Sequence, residues 1–415
     1  MLKVDEDEHV LRSALTRVSG TLLDVSHVIH ARPEIRFEEH FASGLLSDTL
    51  KREGFEVETG VGGLTTAFLA EYTQAGQARG ESGPTLAFFC EYDALEEIGH
   101  GCGHNVIAAA GLGAALLAKD WLQRNPQVPG RIVVVGSPGE EGGAGKAYLI
   151  DGGCLEGIDA AMMVHPEGFS LSSMATLARV SLDFRFTGRA AHAAVSPERG
   201  LNALDAAVLT LNAIGLLRQQ LPPDVRVHAV ITDGGEVPNI IPETASIRTF
   251  VRAPGTKELL DDFLPRIQNC AHGAALATGT EVEILAPAPA YAAMNPNRVL
   301  AELIERNFQR IGRRTDPPRA EAFPGSTDMG NVSQIIPSIH PTIELEPGVG
   351  MHTREAAALA GGAEGDRAVL DGSLLLAMTA VQLFRSPELM REVKESFAPD
   401  PPTPAAHSGL SPKGN

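Results

Sequence analysis

The first part of the chain alternates short apolar runs with longer amphipathic stretches. Residues 10–31 carry apolar side chains at close to helical spacing, which predicts a packed first helix. Two continuous apolar runs, 85–90 and 131–136, flank the Ala- and Leu-rich stretch 106–122, and a third run follows at 160–164. A buried strand, a helix and a second buried strand are typical of a parallel sheet. The pattern therefore predicts an α/β domain.

The pattern changes from about residue 172 onward. The predicted elements are a strand at 179–186, a helix at 201–217, strands at 225–231 and 245–251, a helix at 257–275 and a strand at 281–286. This β-α-β-β-α-β order is that of the ferredoxin-like split unit. Farther on, helices are predicted at 299–311 and, as the final element, at about 369–384.

These elements predict one domain inserted into another. Residues 1–171 and 290–395 would form the α/β domain, and residues 172–289 the inserted α+β domain. Residues 396–415 are rich in Pro, Ser and Gly and poor in apolar side chains, so we expect a disordered tail there.

Composition and charge argue against several classes of partner. The 415 residues include 34 Lys and Arg against 52 Asp and Glu, a net charge of −18 that disfavours nucleic acid and anionic lipid surfaces as partners. Apolar runs stay short of the roughly 20 residues that a membrane helix needs, and the N-terminus is acidic. We expect a cytoplasmic protein that binds neither nucleic acid nor membranes.

The four cysteines, Cys90, Cys102, Cys154 and Cys270, are too few and too scattered for a disulfide framework. We expect reduced thiols. Three of them are interpreted as small buried apolar residues, whereas Cys102 lies in a motif with its own chemistry.

That motif is His100-Gly101-Cys102-Gly103-His104, between a predicted strand and a predicted helix. Glycines allow the backbone to bend so that Cys102 and His104 can converge on one metal ion. A buried cysteine beside a surface histidine is the plainer interpretation of the motif taken alone.

Two adjacent carboxylates, Glu140 and Glu141, follow the predicted strand at 131–136 among glycines. Open α/β sheets bind ligands beyond the carboxyl ends of their strands, so this pair is expected to face a site. One carboxylate could bind a metal while its neighbour, with a raised pKa, accepts a proton. His165 directly follows the run at 160–164, and His352 lies far along the chain. Either histidine alone would more often be structural, so each gains weight only from the other motifs.

Six motifs together resemble one family. They are Cys102-Gly103-His104-Asn105, Glu140-Glu141-Gly142-Gly143, Val164-His165, Gly188-Arg189-Ala190-Ala191-His192-Ala193, Asn239-Ile240-Ile241-Pro242 and Met351-His352-Thr353. In order and rough spacing they resemble the dimetal amidohydrolases that include carboxypeptidase G, aminoacylase, acetylornithine deacetylase and the auxin-conjugate hydrolases. Over residues 10–390, the chain is most similar to the branch of aminobenzoyl-glutamate hydrolase and dipeptidase-like relatives, judging by 90–95 and 325–333.

The resemblance implies a mixed-sheet, zinc-peptidase-like catalytic domain whose insertion is a lid and dimerisation domain. It also implies two divalent metal ions, zinc or manganese. Cys102 would bridge them, with His104 and His165 on one ion and Glu141 and His352 on the other. A thiolate is a reasonable zinc ligand.

Further roles follow from the same resemblance. Glu140 would be the general base toward a metal-activated water. His192 would donate to the oxyanion, often from the neighbouring subunit of a homodimer. Asn239 and Arg252 match positions that bind a substrate carboxylate. The guanidinium group of an arginine is well suited to binding a carboxylate. One position departs from the family: Glu91 stands where relatives have a ligating histidine, although Asp93 keeps the supporting aspartate.

The leading interpretation is hydrolysis of the amide bond in a dipeptide, an N-acyl amino acid or an aminobenzoyl-glutamate-like substrate. One alternative is a catalytically silent relative that binds a ligand or partner in the same cleft. Another is a cysteine hydrolase with Cys102 and His104 as nucleophile and base, which leaves Glu140, Glu141 and His352 without a role.

Overall fold

The computed structural model describes residues 2–74, 83–317 and 323–399. The described helices are α1 (Leu2–Ala31), α2 (His40–Arg52), α3 (His104–Arg124), α4 (Glu140–Gly143), α5 (Gly145–Asp151), α6 (Ala203–Leu217), α7 (Thr256–Glu258), α8 (Leu264–Thr278), α9 (Arg298–Ile311), α10 (Met329–Ser333), α11 (Arg354–Ala360), α12 (Ala363–Arg385) and α13 (Pro387–Glu395). The described strands are β1 (Glu56–Thr59), β2 (Phe68–Gln74), β3 (Thr85–Cys90), β4 (Gly130–Gly136), β5 (Ala160–Met162), β6 (His165–Glu167), β7 (Ala178–Thr187), β8 (Arg226–Asp233), β9 (Thr244–Ala253), β10 (Glu281–Leu285), β11 (Ser338–Ile339) and β12 (Thr342–Glu344).

The described residues divide into two compact units. The first contains the chain through Ala175, the described part of Met294–Phe323 and the chain from Asp328 onward. The second contains Thr176–Ala293 together with the short segment Pro324–Thr327. The second unit therefore interrupts the first in sequence.

The first unit is built on a mixed sheet of six strands in the order β1-β2-β4-β3-β5-β11. Strands β3, β4, β5 and β11 are parallel to one another, whereas β2 is antiparallel to both β4 and β1. Every residue of β3 is buried, as expected for a central strand that is covered on both faces. The mixed α/β architecture agrees with the predicted fold class.

Helices α3 and α12 are the core helices of the first unit. Both are long and apolar enough to cross a membrane, but most of each apolar window is buried inside the protein. Helix α1 is tied to both, because Asp7 accepts a hydrogen bond from the Trp121 indole at 2.7 Å and pairs with Arg385 at 2.5 Å. The apolar character of α3 and α12 is therefore explained by packing.

The second unit is a four-stranded antiparallel sheet in the order β10-β7-β9-β8. Helices α6 and α8 pack against one face, and the hydrophobic core of the unit lies between them and the sheet. Alternate residues of the strands, among them Arg179 and Arg252, point to the opposite face. The order of strands and helices is that predicted for the ferredoxin-like insertion.

Several elements differ from the sequence prediction. The first helix begins at Leu2 instead of residue 10, and α13 follows the helix that was predicted to be the last. The predicted helix at 257–275 is interrupted by a π-helical segment, Leu259–Phe263, just before Pro265, which lacks a backbone N–H donor. The predicted tail lies outside the described residues from Asp400 onward.

Candidate metal centre

The candidate site lies at the carboxyl edge of the parallel strands of the first unit. Asp93 follows β3, Glu140 and Glu141 follow β4, and His165 follows β5. Because the carboxyl ends of parallel strands meet at one edge, these side chains converge although they are distant in sequence.

A tight turn supplies the Cys-X-His motif. Gly103 precedes α3 with a φ of 70°, and a Cβ there would approach Pro166 Cγ to 2.5 Å, so glycine is required on both grounds. His104 is the first residue of α3 and is fully buried. The backbone N–H of His352 donates to Gly101 O at 2.9 Å, which ties the distant His352 to the same turn.

All five predicted ligands lie together. The Cys102 Sγ atom is 3.5 Å from His165 Nε2, and His352 Nε2 is 3.4 Å from Glu141 Oε1. Three groups of ligand atoms lie within 4.8 Å of one another: Cys102, His104 and His165; Cys102, Glu141 and His352; and His104, Glu140 and Glu141. Cys102, His104 and Glu141 each belong to two of these groups, so the three sets of ligand atoms overlap.

Hydrogen bonds at Nδ1 orient the rings of two histidines. His104 Nδ1 lies 3.0 Å from Asp93 Oδ1, and His165 Nδ1 lies 2.7 Å from Pro166 O. Since each acceptor requires a proton on Nδ1, the neutral rings present the Nε2 lone pair to the pocket. Asp93 Oδ2 also accepts the Glu141 backbone N–H at 2.8 Å, so one carboxylate places two candidate ligands.

The two adjacent glutamates have different environments. Burial, with the nearby carboxylates of Glu141 and Glu91, raises the pKa of Glu140 well above its ordinary range. Burial acts the same way on Glu141, but its hydrogen bond with His352 and the nearby His104 lower the pKa of Glu141. The pKa values of the two neighbouring carboxyls are thus shifted in opposite directions, a pattern found in acid–base sites.

The donor set fits divalent cations. Among the described residues, His104 Nε2 is buried without a hydrogen-bond partner, an arrangement that is costly unless another group satisfies it. Burial and the Glu141 carboxylate raise the pKa of Cys102 well above its ordinary range, so the pocket itself does not favour the thiolate. A cation would reverse that balance, since a coordinating thiol is deprotonated.

A buried charged cluster borders the pocket and was missed by the sequence analysis. The Lys146 ammonium pairs with Glu91 and with Asp328 Oδ1, the latter at 2.6 Å, and all three side chains are fully buried. Glu91 Oε2 lies 3.7 Å from His104 Nε2. Glu91, which departs from the family pattern, is thus neutralised by a lysine that sequence alone would place on a surface.

Two other buried residues support the site without any clear sequence signal. Glu39 accepts hydrogen bonds from Gly139 N at 2.8 Å and Thr66 Oγ1 at 2.9 Å. Burial and the nearby Asp93 raise the pKa of Glu39 to about 8. The His340 ring packs edge-on against His165, with 5.6 Å between centroids.

The remaining predicted residues belong to the second unit. His192 is exposed, and its Nδ1 accepts the backbone N–H groups of Ala194 and Val195 at 3.2 and 3.3 Å. Asn239 is joined to the same loop, because its carbonyl accepts the Ala193 N–H at 3.0 Å. Arg252 Nη1 donates to Ser326 Oγ at 2.8 Å and to Pro324 O at 3.1 Å.

Comparison with known proteins places this geometry in context. The family model described as peptidase family M20/M25/M40 matches residues 84–360. Xaa-Arg dipeptidase of Homo sapiens is 37% identical over 400 residues, covering 93% of this chain and 91% of that protein. One of the p-aminobenzoyl-glutamate hydrolase subunits of Escherichia coli K12 is 35% identical over 308 residues, covering 70% of this chain and 62% of that protein.

Two solved structures share the fold. An aminobenzoyl-glutamate utilization protein from Klebsiella pneumoniae superposes with a TM-score of 0.68 at 22% identity, covering 87% of this chain and 98% of that one. A dinuclear metal-binding peptidase of the M20 family from Bacillus subtilis superposes with a TM-score of 0.61 at 20% identity, covering 89% and 99%.

Proposed function

The chain belongs to peptidase family M20/M25/M40 and is a metal-dependent amidohydrolase, and we propose that Glu140 is its general base. The substrate is a dipeptide, an N-acyl amino acid or an aminobenzoyl-glutamate-like amide. The observation that carries this proposal is the convergence of five metal-binding side chains beside a buried carboxyl with a raised pKa.

The five candidate ligands would hold two divalent ions, zinc or manganese. Cys102 would be shared, with His104 and His165 on one side and Glu141 and His352 on the other, in keeping with the groups that their ligand atoms form. When bound, such ions polarise an amide carbonyl and lower the pKa of a water molecule. The mixed sulfur, nitrogen and oxygen donors suit zinc, and manganese tolerates the oxygen-rich side of the pocket.

Glu140 would handle the proton. Its side chain is nearly buried beside Glu141, and burial raises its pKa, which makes its carboxylate a stronger proton acceptor toward the attacking water. The same carboxyl then returns that proton to the departing amide nitrogen. Asp93 has a positioning role, because it holds both His104 and the Glu141 backbone.

The second unit would supply the contacts to the substrate. Since Nδ1 of His192 accepts two backbone N–H groups, the neutral ring carries its proton on Nε2 and can donate to a developing oxyanion. Asn239 lies on the adjoining loop. Arg252, held by Ser326 and Pro324, would bind the substrate's terminal carboxylate.

The relatives suggest two classes of released amino acid. The name Xaa-Arg dipeptidase indicates a basic residue, whereas aminobenzoyl-glutamate hydrolase indicates an acidic one.

We also propose that the protein is a homodimer through the edge strand β8 and helix α6. The free cysteines suit a reducing compartment, and we place the protein in the cytoplasm.

A paired substitution tests this function. Glu140→Gln should keep both metals and lower turnover of a cleaved dipeptide by about 100- to 10,000-fold, since it removes only the base. The matched change Glu141→Gln, one residue away, should instead deplete bound metal. Metal content by elemental analysis and turnover with zinc or manganese added are the measurements.

Two results would contradict the proposal. Loss of metal from Glu140→Gln would show that Glu140 is a ligand and not the base. Full activity after exhaustive chelation would remove the metal requirement, and the absence of turnover on every dipeptide and N-acyl amino acid would favour a silent relative.

A further inference from the structure

Three arginines lie side by side across the second unit's sheet. Arg179 of β7 is directly opposite Arg252 of β9, and Arg252 is directly opposite Arg226 of β8. Their neighbours Val180, Val251 and Val227 are buried against the helices, so the arginines point to the other face. Like charges directly opposite one another destabilise a sheet unless other groups offset them.

Arg179 is the member of the row with unused donors. Its guanidinium stacks on Tyr291, 4.0 Å from the ring centroid, and lies 5.1 Å from that of Phe250. Its Nε and Nη2 atoms are buried without a hydrogen-bond partner among the described residues. Two adjacent donors of a fixed guanidinium fork match the two oxygens of a carboxylate.

The same face shows how a structural arginine is satisfied. Arg248 pairs with Asp183 in two hydrogen bonds of 2.9 and 3.1 Å. Within the described residues, Arg179 makes no salt bridge, although it is more enclosed than Arg248. Aromatic stacking fixes the position of the Arg179 charge without neutralising it.

The surroundings of the row are positive and ordered. Partial burial together with Arg252, Arg218 and Arg226 lowers the pKa of His228 on the neighbouring strand β8. Ser326, which accepts from Arg252, lies on a segment that is anchored to the start of β7 by the hydrogen bond from Leu177 N to Gly325 O, 3.0 Å long.

We propose that Arg179 binds the side-chain carboxylate of an acidic amino acid at the carboxyl end of the substrate, beside the terminal carboxylate on Arg252. This inference rests on the proposed function and selects glutamate or aspartate as the released residue. A basic residue would place a third positive charge between two guanidinium groups.

An isosteric pair of dipeptides tests the selectivity. The parent should cleave Ala-Glu with a kcat/KM about 10-fold or more above that for Ala-Gln, and Ala-Arg should be cleaved least. Arg179→Gln should reduce the ratio of Ala-Glu to Ala-Gln by about 10- to 100-fold, mainly through KM, as expected for the loss of a charged hydrogen bond. Arg179→Glu should shift preference toward Ala-Arg.

Arg185→Gln is the matched control. Arg185 lies on the same strand and face but is exposed, and it is opposite Glu283 in the sheet. Removing this charge should leave the Ala-Glu to Ala-Gln ratio within about twofold of the parent. If Arg185→Gln lost as much selectivity as Arg179→Gln, the preference for Ala-Glu would come from the general surface charge. That result would overturn the assignment to Arg179.

A binding measurement separates this inference from the proposed function. Calorimetric titration of the metal-loaded parent with L-glutamate and L-glutamine should show tighter binding of glutamate. This preference should be lost in Arg179→Gln and partly kept in Arg179→Lys. Circular dichroism checks that each variant is folded. Equal binding of the two amino acids, or unchanged glutamate binding in Arg179→Gln, would overturn the inference. Failure to cleave any dipeptide while glutamate selectivity persists would refute only the hydrolase proposal.

Discussion

At the scale of single residues, the three candidate histidine ligands are each held by a contact outside the pocket. Asp93 orients His104, the Pro166 carbonyl orients His165, and the backbone of His352 is bonded to Gly101. His352 also has a φ of 64°, an uncommon conformation for a residue with a side chain. Such strain persists where the surrounding structure imposes it, and it is concentrated at functional sites.

Cys102→Ala tests the shared ligand. Because Cys102 is shared by the two ions in the proposed arrangement, its removal should weaken the binding of both by more than about 10-fold, the lower end of what even an outer-shell partner contributes. Metal content after dialysis measures the effect. Cys154→Ala, which removes a half-buried thiol that belongs to none of the candidate ligand groups, is the control. Full metal occupancy in Cys102→Ala would show that this cysteine has only a structural role.

His192→Ala tests the oxyanion donor. A contact made mainly in the transition state should lower turnover by about 100-fold or more and leave metal content unchanged. Turnover within a few-fold of the parent would mean an ordinary surface histidine.

Mixed dimers extend this test. If subunits carrying His192→Ala are combined with subunits carrying Glu140→Gln, recovery of activity would show that the histidine serves the neighbouring subunit's site. The homogeneous variants are the controls.

At the scale of elements, strands with continuous apolar runs could be predicted, and others could not. Strand β3 is apolar throughout because it is central, whereas β1 is a sheet-edge strand with the sequence Glu56-Val57-Glu58-Thr59 and has little pattern to detect. The motifs that contain Cys102, His104, Glu140 and Glu141 could be recognised because they are short and glycine-flanked. Lys146 was not, since its burial depends on Glu91 and Asp328, which only the folded chain brings to it.

Lys146→Met tests how this cluster joins the elements. Lys146 lies in α5, Glu91 follows β3 and Asp328 precedes α10, so removing the lysine leaves two buried carboxylates near each other. We expect a loss of about 3–5 kcal/mol in the free energy of unfolding. Urea denaturation of chelator-treated protein measures it, with the exposed Lys51→Met as the control, expected within about 0.5 kcal/mol.

The pH dependence of this contribution has a definite sign. Burial opposes the ammonium, but Asp328 and Glu91 outweigh it and raise the pKa of Lys146 above its ordinary value. Because the pKa of Lys146 is higher in the folded protein, its ion pairs contribute their full stability below the pKa of the unfolded chain, about 10.4. This stability is lost only as the pH rises through the folded-state pKa. The difference between parent and variant should therefore be fully present at pH 7. Adding Glu91→Gln and Asp328→Asn should restore part of the stability.

At the scale of the whole molecule, the second unit exposes apolar side chains on neighbouring elements. Leu216 of α6 is 78% exposed, Leu276 of α8 is 86% exposed and Val230 of the edge strand β8 is 57% exposed. An edge strand with unpaired backbone groups needs a cover, and a second copy provides one by symmetry.

We expect a homodimer at micromolar concentration, measured by light scattering after size exclusion. Leu216→Glu combined with Val230→Asp should give monomers, because both changes place charge in the proposed interface. Val195→Glu, at an equally exposed position outside α6, α8 and β8, should leave the mass unchanged. A monomeric parent with full activity would overturn the dimer.

The interruption of the first unit also sets the order in which a growing polypeptide can acquire its metals. Translation proceeds from the N-terminus at about 5–20 residues per second, and domains generally fold as units. Cys102, His104, Glu141 and His165 leave the ribosome before the second unit, whereas His352 and helix α12, whose Arg385 pairs with Asp7, follow it. The nascent chain thus carries four of the five candidate ligands while the inserted unit folds, and His352 joins them only near the end of synthesis.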